Sequence, residues 1–184
     1  MNFKEQLKDY QRLIESELQK NIKKEDCLEK ILNESMAYSL LAGGKRLRPI
    51  LTISTYKLFK QDYEKCMPFA IALEMIHNFS LIHDDLPGID NDDFRHGKPT
   101  NHKRFNEATA ILAGDALLNY GYIIISNELQ KTNKDELNKK IQVFQEFSKA
   151  VDRMIAGEYV DTEFEKRNIT KENLDYIHKN KTGA

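Results

Sequence analysis

Tryptophan is absent from this 184-residue chain, and cysteine, proline and glycine are scarce, at two, four and eight residues. Two unpatterned cysteines, Cys27 and Cys66, exclude a disulfide framework and fit a reducing compartment. With so few glycines and prolines, long stretches run without a breaker, as an all-helical protein requires. Excess charge is also missing: 28 Lys and Arg stand against 29 Asp and Glu, a net of −1. No global field draws nucleic acid, and no basic stretch interleaves with aromatics as a binding groove would. No run approaches the ~18 apolar residues of a spanning helix. The start, Met1 to Glu5, is charged and lacks an apolar signal region. The expectation is one soluble, cytoplasmic, all-α domain with a substantial core, no nucleic-acid partner and no membrane span.

What is present is helical periodicity. Phe3, Leu7, Tyr10, Ile14 and Leu18 recur at steps of three and four and predict an amphipathic helix over 2–20. A second is expected from Asp26 to Leu41, with Leu28, Ile31, Leu32 and Ser35 on one face, ended by Gly43-Gly44. Pro49 suits the first turn of a third, over 49–59. From Met67 to Ile82 the only charge is Glu74, so a helix over 68–85 belongs in the middle of a bundle, stopped by Pro87-Gly88. Further helices are predicted over 106–130, 134–165 and 171–180, the last capped by Thr170.

Two constellations carry chemistry. Asp84, Asp85, Asp90, Asp92 and Asp93 crowd the end of the apolar helix, where carboxylates are costly unless solvated, ion-paired or metal-bound. Hard divalent cations such as Mg²⁺ accept one or two carboxylates and complete their shell with water and substrate phosphates. The spacing is not that of an EF-hand. Arg95, His96, Lys98, Lys103 and Arg104 follow directly, and acid beside base on this scale points to a metal-bridged, polyanionic substrate. The second constellation is the basic loop from Gly43 to Pro49. It is no P-loop, but Lys45 and Arg48 beside a flexible glycine pair suit a phosphate; taken alone, it reads sooner as a basic helix–helix loop than as a phosphate site. His77 falls on the face of Asp84, and by itself reads as a core histidine. His83-Asp84 also resembles the metal pair of helical phosphohydrolases, which need further ligands on other helices.

Gly43 to Pro49, Glu74 to Asp90, Asn91 to His102, Leu112 to Leu118 and Lys181 to Ala184 together resemble the trans-prenyltransferases (polyprenyl synthases), within them the bacterial farnesyl diphosphate synthase (geranyltranstransferase) group. The resemblance runs in order through the chain. It implies an isoprenoid-synthase-type helical bundle, a homodimer, and Mg²⁺-dependent condensation of isopentenyl diphosphate with an allylic diphosphate, dimethylallyl or geranyl. Carried over residue by residue, Asp84 and Asp90 coordinate Mg²⁺ with Asp85 in support. Lys45, Arg48 and His77 hold isopentenyl diphosphate, Arg95 binds the allylic diphosphate, and Lys181 and Thr182 line the site where the allylic cation forms. Phe79, five residues before Asp84, and its neighbour Ser80 are the implied chain-length positions, a buried ring limiting the product near fifteen carbons.

The chain departs from the family pattern in three places. His96 stands where an arginine is usual, making one phosphate contact titratable. Ala156-Gly157-Glu158 replaces a Gly-Gly-Gln segment, exchanging an amide for a charge. A C-terminal half with a second aspartate-rich motif is expected from the family and is not in this sequence, so the chain corresponds to the N-terminal part of a synthase. A non-catalytic binding or regulatory subunit of a prenyl synthase is the alternative from another class.

Overall fold

The computed structural model describes residues 2–22, 27–165 and 167–184. It is helical throughout, apart from one two-stranded hairpin. The elements are α1 (Phe3–Lys20), α2 (Lys30–Leu40), α3 (Leu47–Lys57), α4 (Met67–Asp84), β1 (Phe94–Arg95), β2 (Lys98–Pro99), α5 (Asn101–Arg104), α6 (Glu107–Lys131), α7 (Lys134–Phe164) and α8 (Lys171–Ile177). A 3₁₀ turn, Tyr63–Cys66, leads into α4, and a π-helical turn, His178–Thr182, continues α8.

Local chemistry accounts for the helix starts. Asn2 caps α1 in a reciprocal box with Glu5, each side chain bonding the other's backbone N–H at 3.0 Å. Asn133 caps α7 and Thr170 caps α8, satisfying amide donors that have no partner inside the helix. Pro68 sits in the first turn of α4, where its missing N–H costs nothing.

The chain forms two compact units, 1–128 and 129–184, with the boundary near the end of α6. In the first, α4 is the central helix. Ala70, Ile71, Ala72, Met75, Ile76 and Ile82 are buried, and Ile14, Leu18, Leu40, Ile53, Leu117 and Ile125 come from the surrounding helices. In the second, α7, α8 and the π-helical turn pack together around Val151, Gly157 and Ile177.

Three expectations change. Helix α2 begins at Lys30 and not at Asp26, which lies outside the described residues. Leu28 is fully exposed and Ile31 more than half exposed, so the face read from 28 to 35 turns only Ser35 fully inward. The helix over 171–180 stays α-helical to Ile177 and then widens into the π-helical turn. Among the described residues one helix, α6, is long and apolar enough to cross a membrane by length and composition. Its apolar residues form no unbroken run, because Gly, Asn and Asp115 are interspersed along it. Its buried residues Ala110, Ala113, Gly114, Leu117, Gly121 and Ile125 recur at helical spacing, and Gly121 lies against Ala72 and Ile76 of α4, as in a core helix.

Candidate diphosphate and metal site

The end of α4 sorts the acidic cluster into two groups. After Asp84 the chain turns back, and the Asp90 amide donates to the Asp84 carbonyl at 2.8 Å, bringing together two residues six apart in sequence. Asn91 completes the reversal in the left-handed region, which asparagine tolerates. Asp84 is half-buried and Asp90 exposed. Asp85 is buried and accepts from Arg95, with Nε at 2.8 and 3.0 Å and Nη2 at 2.6 Å. Burial lifts the Asp85 pKa, and the Arg95 bonds only partly pull it back. Asp92 lies 3.8 Å from Arg95, and Asp93 binds Lys103 at 2.8 Å, which holds its carboxyl below the usual range.

Among the described residues no cluster of three or more His, Cys, Asp or Glu could hold a metal ion. Asp84 and Asp90, joined by that backbone hydrogen bond, are carboxylates of the kind a hard cation takes while drawing its remaining ligands from water and phosphate, the ordinary habit of Mg²⁺. They do not fit a closed structural site. His83 is engaged elsewhere: its Nε2 donates to the Ile111 carbonyl at 3.0 Å and its ring meets that of Phe79 edge-on at 4.7 Å. The phosphohydrolase alternative needs further ligands beside His83 and Asp84, and no cluster of three or more possible ligands is present among the described residues.

The basic residues converge in the same unit. Gly43 and Gly44 take φ values of +95° and +132°, which the turn from α2 into α3 requires and side chains resist. Lys45 is exposed and Arg48 half-buried in the first turn of α3. His96 sits at the tip of the β1–β2 hairpin with φ +52°, its Nε2 about 4.0 Å from where a Gly44 side chain would begin. His77, on α4, is pushed down to about 4, first by burial and then by Arg48, Arg46, Arg95 and His96. Of these groups Arg46 is ion-paired to Glu15 and Glu74 and Arg95 to Asp85, so Arg48 is the arginine left to face an anion beside His77. A cleft beside it, lined by Asn78, Asp85, Arg95, His96, Lys98 and Thr100, has a volume of about 30 Å³, room for one water. A larger cavity of about 280 Å³, lined by Met36, Leu40, Met75, Leu117, Tyr120 and Ile123 among others, has no basic side chain in its wall and does not suit a diphosphate.

Sequence reasoning singled out Lys45 and Arg48 and passed over Arg46 between them. Arg46 is buried. Its Nε donates to Glu15 at 2.6 Å, its Nη1 to Glu74 at 2.7 Å and its Nη2 to the Leu40 carbonyl at 2.7 Å. Burial pulls the guanidinium's pKa down, and the bonds to Glu15 and Glu74 more than offset it. The signal was present: a lone glutamate in an apolar helix, Glu74, demands a buried cation.

Phe79 is buried and Ser80 half-buried, the latter donating to the His77 carbonyl at 2.9 Å. In the second unit, Lys181 donates to Glu158 at 3.0 Å and to Asp161 at 2.6 Å. Burial opposes its charge, but those two bonds raise its pKa overall. Gly157 makes this possible, since a side chain there would begin 2.2 Å from the Lys181 nitrogen. Thr182 is exposed at the end of the π-helical turn. Such turns occur frequently at functional sites. Asp161 was the residue missed here.

The sequence pattern of the polyprenyl synthetase family matches residues 29–184. A farnesyl diphosphate synthase of Geobacillus stearothermophilus is 47% identical over 83% of this chain and 51% of its own length. A chloroplastic geranylgeranyl pyrophosphate synthase of Catharanthus roseus is 46% identical over 83% of the chain and 43% of its own. Among solved structures, an FPP/GFPP synthase from Zymomonas mobilis superimposes with a TM-score of 0.90 at 35% identity, covering 98% of this chain and 65% of that one. The chain spans about half the length of the curated relatives it matches.

Proposed function

We propose that this chain, which belongs to the polyprenyl synthetase family, carries the first metal site and the basic diphosphate site of a short-chain trans-prenyltransferase. The reaction is condensation of isopentenyl diphosphate with dimethylallyl or geranyl diphosphate to give farnesyl diphosphate. The observation that supports this reading most is that one unit carries both the backbone-linked Asp84 and Asp90 and the basic loop of Lys45 and Arg48, with His96 brought close to Gly44 of that loop. Lys45, Arg48 and His77 bind the isopentenyl diphosphate. Arg95, aligned by Asp85, and His96 contact the allylic diphosphate. Asp84 and Asp90 hold Mg²⁺, which supplies neutralisation of the charge that grows on the leaving diphosphate. The apolar stretch of α4 keeps water from the allylic carbon while its C–O bond breaks and the new C–C bond forms. Lys181 and Thr182 are the residues that the family resemblance assigns to stabilising the allylic cation, and the proton lost in the last step leaves with the released diphosphate.

The farnesyl product rests on Phe79 as the floor of the chain-length pocket, since relatives at similar identity carry farnesyl and geranylgeranyl names. A cytoplasmic homodimer completes the reading; Cys27 and Cys66, which are thiols and not a disulfide, suit such a compartment. Labelled isopentenyl diphosphate incubated with geranyl diphosphate, Mg²⁺ and the protein tests it. A labelled fifteen-carbon product is expected. Tight substrate binding without turnover overturns the reading in favour of a non-catalytic subunit.

A further inference from the structure

The loop that carries Lys45 and Arg48 is held by contacts neither residue makes. Arg46 stands between them in the left-handed conformation, φ +51°, which a non-glycine residue keeps only when its surroundings enforce it. Each of its three guanidinium nitrogens donates to a protein acceptor on a different element: Glu15 on α1, Glu74 on α4 and the last carbonyl of α2, at Leu40. Its side chain is 2% exposed, so it is no ligand for a dissolved anion. The Lys45 carbonyl is fixed in turn by Gln11 of α1 at 3.1 Å. Glu74 lies three residues before His77, on the same face of α4. The clamp therefore sets the register of the loop against the helix that bears the third anion-binding residue.

We propose that Arg46, gripped by Glu15 and Glu74, is a positioning residue that holds Lys45 and Arg48 in register with His77 for diphosphate binding. The inference rests on the diphosphate reading given above. It makes a prediction opposite in sign to simple electrostatics. Removing the Glu15 carboxylate takes one negative charge from beside an anion site and on charge alone strengthens anion binding. If Glu15 acts by holding Arg46, its removal weakens binding instead.

The test is calorimetric titration of the chain with inorganic pyrophosphate in EDTA, so that no metal links the anion to Asp84 and Asp90. Glu15→Gln is expected to weaken binding ~10-fold, the scale on which misplacement of a binding group is felt. Glu15→Asp, which keeps the charge but withdraws the carboxylate, is expected to weaken it as well. Glu17→Gln removes a charge from the same helix, where Glu17 binds Lys20 at 2.6 Å and not Arg46, and is expected to leave affinity unchanged or slightly raised. Wild-type or tighter affinity in Glu15→Gln overturns the proposal. If that variant does not fold, wild-type affinity in Glu15→Asp overturns it. Lys45→Ala and Arg48→Ala report separately on the site: if neither weakens pyrophosphate binding, or the unaltered chain binds none, the diphosphate reading fails and this inference falls with it.

Discussion

His77 stands among Arg46, Arg48, Arg95 and His96, and burial together with those cations pushes its pKa down to about 4. An unfolded histidine titrates near ~6.5, so between those values the unfolded chain binds the extra proton. Stability from this residue is therefore fully present above ~6.5 and lost as the pH falls toward the folded value, by at most about 3 kcal/mol. Urea unfolding at pH 7 and pH 5 is expected to show that loss, and His77→Gln to reduce it; an unchanged loss in the variant assigns the acid sensitivity elsewhere. A bound diphosphate offsets the same cations and is expected to draw a proton onto His77. The neighbourhood of His77 was only partly legible in the sequence. Its place on the face of Asp84 follows from a seven-residue spacing, whereas the approach of Arg48 and His96 comes from loops whose path no periodicity encodes.

At the scale of elements, α4 is both the core of the first unit and the measuring rod of the proposed site. Phe79 lies five residues before Asp84 on this helix, ~7.5 Å of rise from the anchored diphosphate. A tail running down the helix meets the ring or passes it. Phe79→Ala is expected to extend products beyond fifteen carbons, at a stability cost of ~3–5 kcal/mol while the cavity stays empty. Product analysis decides: an unchanged length in a folded variant makes Phe79 ordinary core packing. The helices themselves were readable because apolar spacing and caps agree, as in α1 with Asn2, Glu5, Ile14 and Leu18. The start of α2 was not, because Leu28 continues the apolar rhythm yet points into solvent. The π-helical turn over His178–Thr182 was also hidden, since it depends on the close approach of its backbone to Gly157.

For the whole molecule, a net charge of −1 conceals a strong local separation. Asp84 and Asp90 lie at the end of α4, while Lys45 and Arg48 lie on the turn into α3 and its first turn. The acidic cluster at 84–93 and the basic loop at 43–49 were legible because the motif residues of each are close in sequence. The division into units at residue 128 was not, since it falls within an uninterrupted apolar helix. Nor was the Glu15–Arg46–Glu74 clamp, whose members lie 31 and 28 residues apart. On the proposed function, one unit offers two kinds of diphosphate site, one requiring metal and one not. Pyrophosphate calorimetry on the chain, with and without Mg²⁺, tests it most directly. In EDTA a single binding event is expected, lost in Lys45→Ala and Arg48→Ala variants. With Mg²⁺ a second is expected, lost when Asp84 and Asp90 are both changed to asparagine. Binding that is the same with and without Mg²⁺, and indifferent to Asp84 and Asp90, would contradict the account.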